Sequence, residues 1–367
     1  MNLRALKKNR LFEFDILRTI AIYGVIFAHS SDESINLMLP EKFYGLGRFG
    51  VPLFFFISGV TVFLSFKSIS LSYKNKFTIF FCRRILRILP LFFVAITIYW
   101  FLISGRSDFN LPILPLQDYF NPISGFKIDR QNFAPGGWSI WNELYFYLFF
   151  PIYLIIRRNY FYIFFFSIFL YISLTFLIFE INSFPNLEEM QIQNYIYFSP
   201  FNQIICFITG VEFANGNLKK IMPIIFSWLI FIVILNLFYE QLGIYKLRFS
   251  CQIVPLIALL SVLSTKLVRW VLSQTHRIYF YKLNYLKNLI KIFVLNSAKF
   301  TYTAYFVHFP IIDLTGQWLP KIFKGEFYMI STCLITFITS FYLRNLTELP
   351  IQNLSKHLER KIAIPLI

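Results

Sequence analysis

The chain lacks the common signatures of metal, nucleotide-phosphate and serine-hydrolase chemistry. Its four cysteines, Cys82, Cys206, Cys251 and Cys333, are scattered, mostly inside apolar runs. They have no metal-ligand spacing and no paired arrangement at an outer loop, so they read as small packing residues. There is no nucleophilic serine elbow, no Walker loop and no HExxH helix. There is also no internal repeat, no low-complexity tract and no appended soluble domain. No metal and no bound cofactor is expected.

Charge is sparse and lopsided. Only 14% of residues are charged, and 35 Lys+Arg against 18 Asp+Glu give a net charge of +17. In a soluble protein that balance would point to nucleic acid. Here it reads as membrane topology, and no nucleic-acid partner is expected.

What fills the chain is apolar. Of 367 residues, 57% are hydrophobic and 21% aromatic, with 48 Phe and 22 Tyr, and mean hydropathy is +0.60. Soluble domains average about 45–50% apolar residues, so the composition predicts an all-α polytopic membrane helical bundle with about ten transmembrane helices. Its partners include membrane lipid. The expected spans run near 14–36, 47–66, 79–104, 139–156, 160–180, 197–214, 221–239, 249–268, 297–315 and 327–346. The first follows a basic stretch, LRALKKNR, as a signal peptide does. No small-residue cleavage site follows His29, so it is read as a retained span. The division expected is a basic N-terminus (1–13), one membrane domain (14–346) and a polar C-terminal tail (347–367).

Basic residues then set the orientation. With the N-terminus in the cytoplasm, most of the 35 Lys and Arg fall on the inner side. They cluster before residue 11, from Lys67 to Arg87, at Arg157 and Arg158, at Lys219 and Lys220, from Lys266 to Lys299, and from Arg344 onward. The expected location is the cell inner membrane, with both termini cytoplasmic. Two loops stand out. The outer segment 105–137 is rich in Pro, Gly, Asn and Asp and ends in APGG, and the inner segment 266–296 is basic and aromatic, as an interfacial piece is.

Several ionisable residues lie inside or at the ends of these spans, where they are costly and mark function. In FDILRTIAIYGVIFAHS, Arg18 and His29 are eleven apart. That is about three turns, so they share one helix face roughly 16 Å apart along the axis. Asp15 is placed to pair with Arg18, and a snorkelling anchor is the plain alternative for the arginine. A packing histidine is the plain alternative for His29, although imidazole is also the side chain best suited to carry a proton near neutral pH. FCRRILRILP brings Arg83, Arg84 and Arg87 to the cytoplasmic mouth, where they serve either as positive-inside anchors or as phosphate ligands. Pro90 follows and is expected to kink or thin this helix. Glu143 lies in GGWSIWNELYFYLFFP, about one and a half turns into its span, with Trp138 and Ser139 beside it as further candidates. A structural hydrogen bond to Trp, Tyr or Ser is the alternative reading there. His308, in TYTAYFVHFPIID, falls at a depth similar to His29 and Glu143.

These segments, with FGVPLFFFISGV (Phe49 to Val60), resemble the acyltransferase-3 family of integral membrane acyltransferases. The matching motifs run in order from residue 14 to about 312. The resemblance implies a ten-helix bundle that moves an acyl group, most often acetyl, from acyl-CoA to a hydroxyl of a saccharide or glycolipid acceptor. It implies that His29 is the catalytic histidine, that Arg18 belongs to the same motif, and that Arg83, Arg84 and Arg87 face the CoA phosphates. Glu143 and His308 carry over as motif positions, and Glu143 is expected to join His29 and Arg18 as a catalytic residue by orienting or neutralising the imidazolium. Pro52 stands where many members have an acid, and Asn142-Glu143 where many have paired acids. The resemblance does not include the soluble esterase-like domain some members carry, so acceptor handling is expected to rest with the membrane domain. A transporter or flippase of lipid-linked sugars is the rival reading. It also needs intramembrane charge, but there is no inverted repeat and no pair of interrupted helices to support it.

Overall fold

The structure is a computed structural model that describes residues 11–31, 45–69, 75–104, 136–182, 189–244, 246, 252–275, 281–316 and 319–362. The basic N-terminal stretch, nearly all of the outer loop 105–137, and Cys251 lie outside the described residues.

Among the described residues the chain is helical, with no strand. A run of about 20 apolar residues in lipid must satisfy every backbone polar group internally, and the helix is the form that does so within one segment. The helices are α1 (Phe12–Ser31), α2 (Gly50–Ser68), α3 (Lys76–Ser104), α4 (Gly137–Ile156), α5 (Tyr160–Asn182), α6 (Glu189–Phe198), α7 (Pro200–Asn215), α8 (Leu218–Leu237), α9 (Val254–Thr275), α10 (Tyr281–Thr315), α11 (Leu319–Ile322), α12 (Glu326–Leu343) and α13 (Leu349–Ile362). A 3-10 turn, Leu46–Phe49, leads into α2, and a π turn, Arg344–Glu348, joins α12 to α13.

Each of the ten expected spans overlaps a helix, although residues 32–36 of the first and 249–251 of the eighth lie outside the described residues, and Ser199 interrupts the sixth between α6 and α7. Five stretches are long and apolar enough to cross a bilayer: Leu46–Ser68, Gly137–Ile156, Leu218–Leu237, Val254–Gln274 and Glu326–Leu358. Of the others, α1 carries Glu13, Asp15 and Arg18, and α3 carries Lys76 and three arginines. The α3 helix continues through Pro90. The ninth expected span extends back to Tyr281, so part of the basic, aromatic stretch before it belongs to α10. Glycine and serine chemistry sets two boundaries. Gly136, the first glycine of APGG, takes φ 82 just before α4. Ser199 caps α7 by accepting the Phe201 N–H at 3.2 Å, with Pro200 at the first helical position.

The chain divides into two compact units. The first comprises residues 1–54, 68–107 and 263–367. In it α1, α10 and α12 pack together around Ile22, Ile26, Ala304 and Cys333. The 3-10 turn and the first residue of α2 lie against α1, where Gly47 meets Gly24 and Gly50 meets Ala21. The α13 helix packs on α3, and α3 packs on α10.

The second unit comprises residues 55–67 and 108–262. Here α2 and α7 cross at a reciprocal glycine contact. A Cβ on Gly59 would overlap the Phe207 carbonyl oxygen, and a Cβ on Gly210 would overlap that of Phe56. Alanine in a helix interior normally gains about 1 kcal/mol over glycine. At this crossing the obstacle is backbone, so the helices must separate, and overpacking costs about 1–3 kcal/mol. Gly59→Ala and Gly210→Ala are each expected to lower the melting temperature of the detergent-solubilised protein. A rise in either would contradict the close crossing.

Candidate active site

Three elements of the first unit build the site: α1, α10 and the 3-10 turn. At the start of α1, Arg18 Nη1 donates to Asp15 Oδ1 at 3.2 Å, and the Asp15 side chain is only 1% exposed against 22% for Arg18. Thr19 Oγ1 donates to the Asp15 carbonyl at 2.8 Å. A buried carboxylate is tolerated where a cation meets it, as Arg18 does here, while the Thr19 bond serves the backbone. The spacing-based expectation of an Asp15–Arg18 pair is therefore what the structure contains.

At the other end of α1, His29 meets α10. Its ring centre is 5.6 Å from that of His308 and 4.4 Å from that of Phe309. His308 and Phe309 are 4.2 Å apart, and Tyr305 lies 5.5 Å from His308. His308 is fully buried. Its Nδ1 is 2.6 Å from the Tyr305 carbonyl oxygen, and among the described residues its Nε2 has no hydrogen-bond partner. Arg48, on the 3-10 turn, lies near enough for its charge to act on His29.

The arginines of α3 do not share one environment. Arg84 is buried, with its guanidinium 5.8 Å from the Phe80 ring centre. Arg87 is exposed and lies 5.9 Å from the Tyr302 ring centre on α10, while Arg83 is half-buried. A turn of about 100° per residue explains the split: Arg83 and Arg87 differ by roughly 40° around the helix, and Arg84 points elsewhere. Tyr302 and His308 are six residues apart on α10, a rise of about 9 Å. The helix thus links the arginine level to the histidine level.

Glu143, Trp138 and Ser139 belong to the second unit. Ser58 Oγ donates to Glu143 Oε1 at 2.7 Å, and the Tyr147 hydroxyl donates to the same oxygen. Trp138 stacks on Phe198, with centres 4.5 Å apart, and Ser139 Oγ donates to the Gly136 carbonyl at 2.9 Å. Ser58, Tyr147 and Arg48 were not singled out in the sequence. Ser58 sits within FGVPLFFFISGV and Arg48 just before it, so that motif was the available signal. Among the described residues no group of three His, Cys, Asp or Glu side chains is arranged to hold a metal ion.

Geometrically, this is a half-dry pair of imidazoles on facing helices, with a partnered acid and base at the far end of α1 and two arginines on one face of α3. An imidazole can carry a proton, and guanidinium groups can bind an anion. A family model described as an acyltransferase domain matches residues 11–345. No curated protein and no solved structure matches the chain.

Proposed function

Because the chain belongs to the acyltransferase-3 family, we propose that this membrane acyltransferase moves an acetyl group from cytoplasmic acetyl-CoA to a hydroxyl of a surface or exported polysaccharide or glycolipid, with His29 as general base. The observation that carries this reading is the packing of His29 against His308 and Phe309, where an imidazole is held in a largely apolar setting at the end of α1. An acceptor O–H needs one base within hydrogen-bond reach and no metal. His29 takes the hydroxyl proton, the oxygen attacks the thioester carbon, the C–S bond breaks, and the departing sulfur receives the proton.

The donor end follows from α3. Arg83 and Arg87 lie on one face and bind the CoA phosphates by charge-assisted hydrogen bonds. Arg84 supports that stretch from inside, against Phe80. The acyl end of the donor then runs along α10 toward His308 and His29. Arg18, held by Asp15, lines the inner part of α1. No step is routed through Glu143, whose carboxylate is engaged by Ser58 and Tyr147. In this reading both termini lie in the cytoplasm and the protein in the cell inner membrane, as the bias of Lys and Arg toward one side supports.

The test is transfer of label from [acetyl-14C]acetyl-CoA to extracted lipid-linked saccharide by the purified protein in nanodiscs. Label is expected in an alkali-labile ester on the saccharide. Arg83→Ala with Arg87→Ala is expected to raise the KM for acetyl-CoA by about 10–100-fold while kcat changes little, as loss of uniform binding does. No transfer to any saccharide fraction would refute the acceptor class. An unchanged KM would refute the phosphate site.

A further inference from the structure

His308 has no task in the chemistry above, yet it is the residue that His29 packs against. Its Nδ1 faces the Tyr305 carbonyl oxygen at 2.6 Å. A carbonyl only accepts, so Nδ1 carries the proton. Nε2 is then a bare lone pair. It is fully buried and meets no donor among the described residues. A second proton there would be a buried charge without a partner. An acceptor left unsatisfied in a dry setting is uncommon and calls for an explanation.

Geometry supplies a donor. The His29 and His308 ring centres are 5.6 Å apart, with the rings tilted by 36°. Two imidazoles sharing an N–H···N bond have centres roughly 5–5.5 Å apart. A small rotation of His29 closes the gap, and hydrogen bonds of this kind often tighten only when substrate is bound. Phe309 contacts both rings, so neither is free to swing far.

We infer that His308 is the positioning residue for His29: its Nε2 accepts the N–H of His29 and leaves the other His29 nitrogen bare and aimed at the acceptor hydroxyl. This rests on the reading of His29 as the base. In the transfer step the acceptor O–H proton passes to the bare nitrogen of His29. The O–C bond forms, the thioester C–S bond breaks, and the proton goes on to the CoA sulfur. His308 gains and loses nothing. It orients the ring and stabilises the imidazolium while it exists, the part a carboxylate plays in a Ser-His-Asp triad.

Three substitutions separate this role from packing. His308→Phe keeps an aromatic ring beside Phe309 and removes both nitrogens. His308→Asn keeps an amide near Nδ1 for Tyr305 but does not reach Nε2. His308→Gln extends a carbonyl oxygen to the Nε2 position. In the nanodisc transfer assay, Phe and Asn are each expected to lower kcat by roughly 10–100-fold with the KM for acetyl-CoA unchanged. Gln is expected to recover at least several-fold over Asn. Asn equal to Gln, or Phe or Asn at the wild-type kcat, overturns the inference. Loss in Phe alone marks a packing defect and also overturns it. His29→Ala run beside these tells the two readings apart. Full transfer in His29→Ala sinks the base and this role together, whereas a dead His29→Ala with fully active His308 variants sinks only the role of His308.

Discussion

His29→Ala is expected to reduce acyl transfer by about 10²–10⁴-fold, the contribution typical of a positioned general base. The loss belongs in kcat, because the proposed donor contacts lie on α3 and not at His29. The fold should tolerate the change. Alanine is the best helix former, the position lies near the end of α1, and His29 is only part-buried. What the protein loses in packing is one ring face against Phe309 and His308. The comparison to make is initial rates at saturating acetyl-CoA, for equal amounts of protein with matched melting temperatures. A His29→Ala protein that keeps more than a tenth of the wild-type rate would remove His29 from the chemistry. His29→Gln is the second arm. It restores hydrogen bonding but not proton acceptance, so it should be nearly as slow as alanine.

The helices were legible because lipid leaves the backbone little choice. Runs such as FFFISGVTVFL and FSWLIFIVILNL fix a helix by composition alone. The Asp15–Arg18 pair was legible for a similar reason: a spacing of three on a helix is a local geometric fact. The meeting of His29 with His308 was only half legible. Depth could be estimated for each by counting residues from a span end. Which helices are neighbours is decided by packing of small and large side chains, here Ile22, Ile26, Ala304 and Cys333, and no residue count contains that. The arginines show the converse. Sequence spacing put all three on adjoining faces, and the burial of Arg84 came from the neighbours of α3.

The glycine crossing belongs to the same class. Gly59 and Gly210 each look like an ordinary helix glycine in a membrane segment. Their partnership appears only when α2 and α7 touch backbone to backbone. The motif FGVPLFFFISGV is thereby explained in part by sterics. Gly50 lets the chain lie against Ala21 of α1, and Gly59 lets it lie against α7. A motif read for chemistry also carries the demands of close approach.

Glu212→Ala is expected to be strongly destabilising although it lies outside the candidate active site, at about 3–5 kcal/mol. An acid within PFNQIICFITGVEFAN carried the same sequence signal as Glu143, and Arg157 read only as a positive-inside marker. The structure joins them. Glu212 is fully buried, Arg157 Nε donates to its Oε1 at 2.6 Å and Nη2 to its Oε2 at 3.0 Å, and Tyr153 adds a hydroxyl donor at 3.0 Å. The Arg157 guanidinium also lies 5.6 Å from the Phe63 ring centre, and Lys220 donates to the Arg157 carbonyl. Removing the carboxylate leaves a half-buried guanidinium and a buried hydroxyl without their acceptor, and that desolvated remainder is the larger part of the cost. Replacing both charges, as Arg157→Met with Glu212→Leu, should therefore cost clearly less than the two single losses added together. Thermal unfolding in detergent reads this directly. Additive losses, or a Glu212→Ala protein that melts with the wild type, would refute the coupling. Rate per folded molecule should stay near wild type in all these variants. Here the buried acid has its hydrogen bonds met, whereas at His308 a buried lone pair meets no donor among the described residues, and that difference sets a structural ion pair apart from the proposed site.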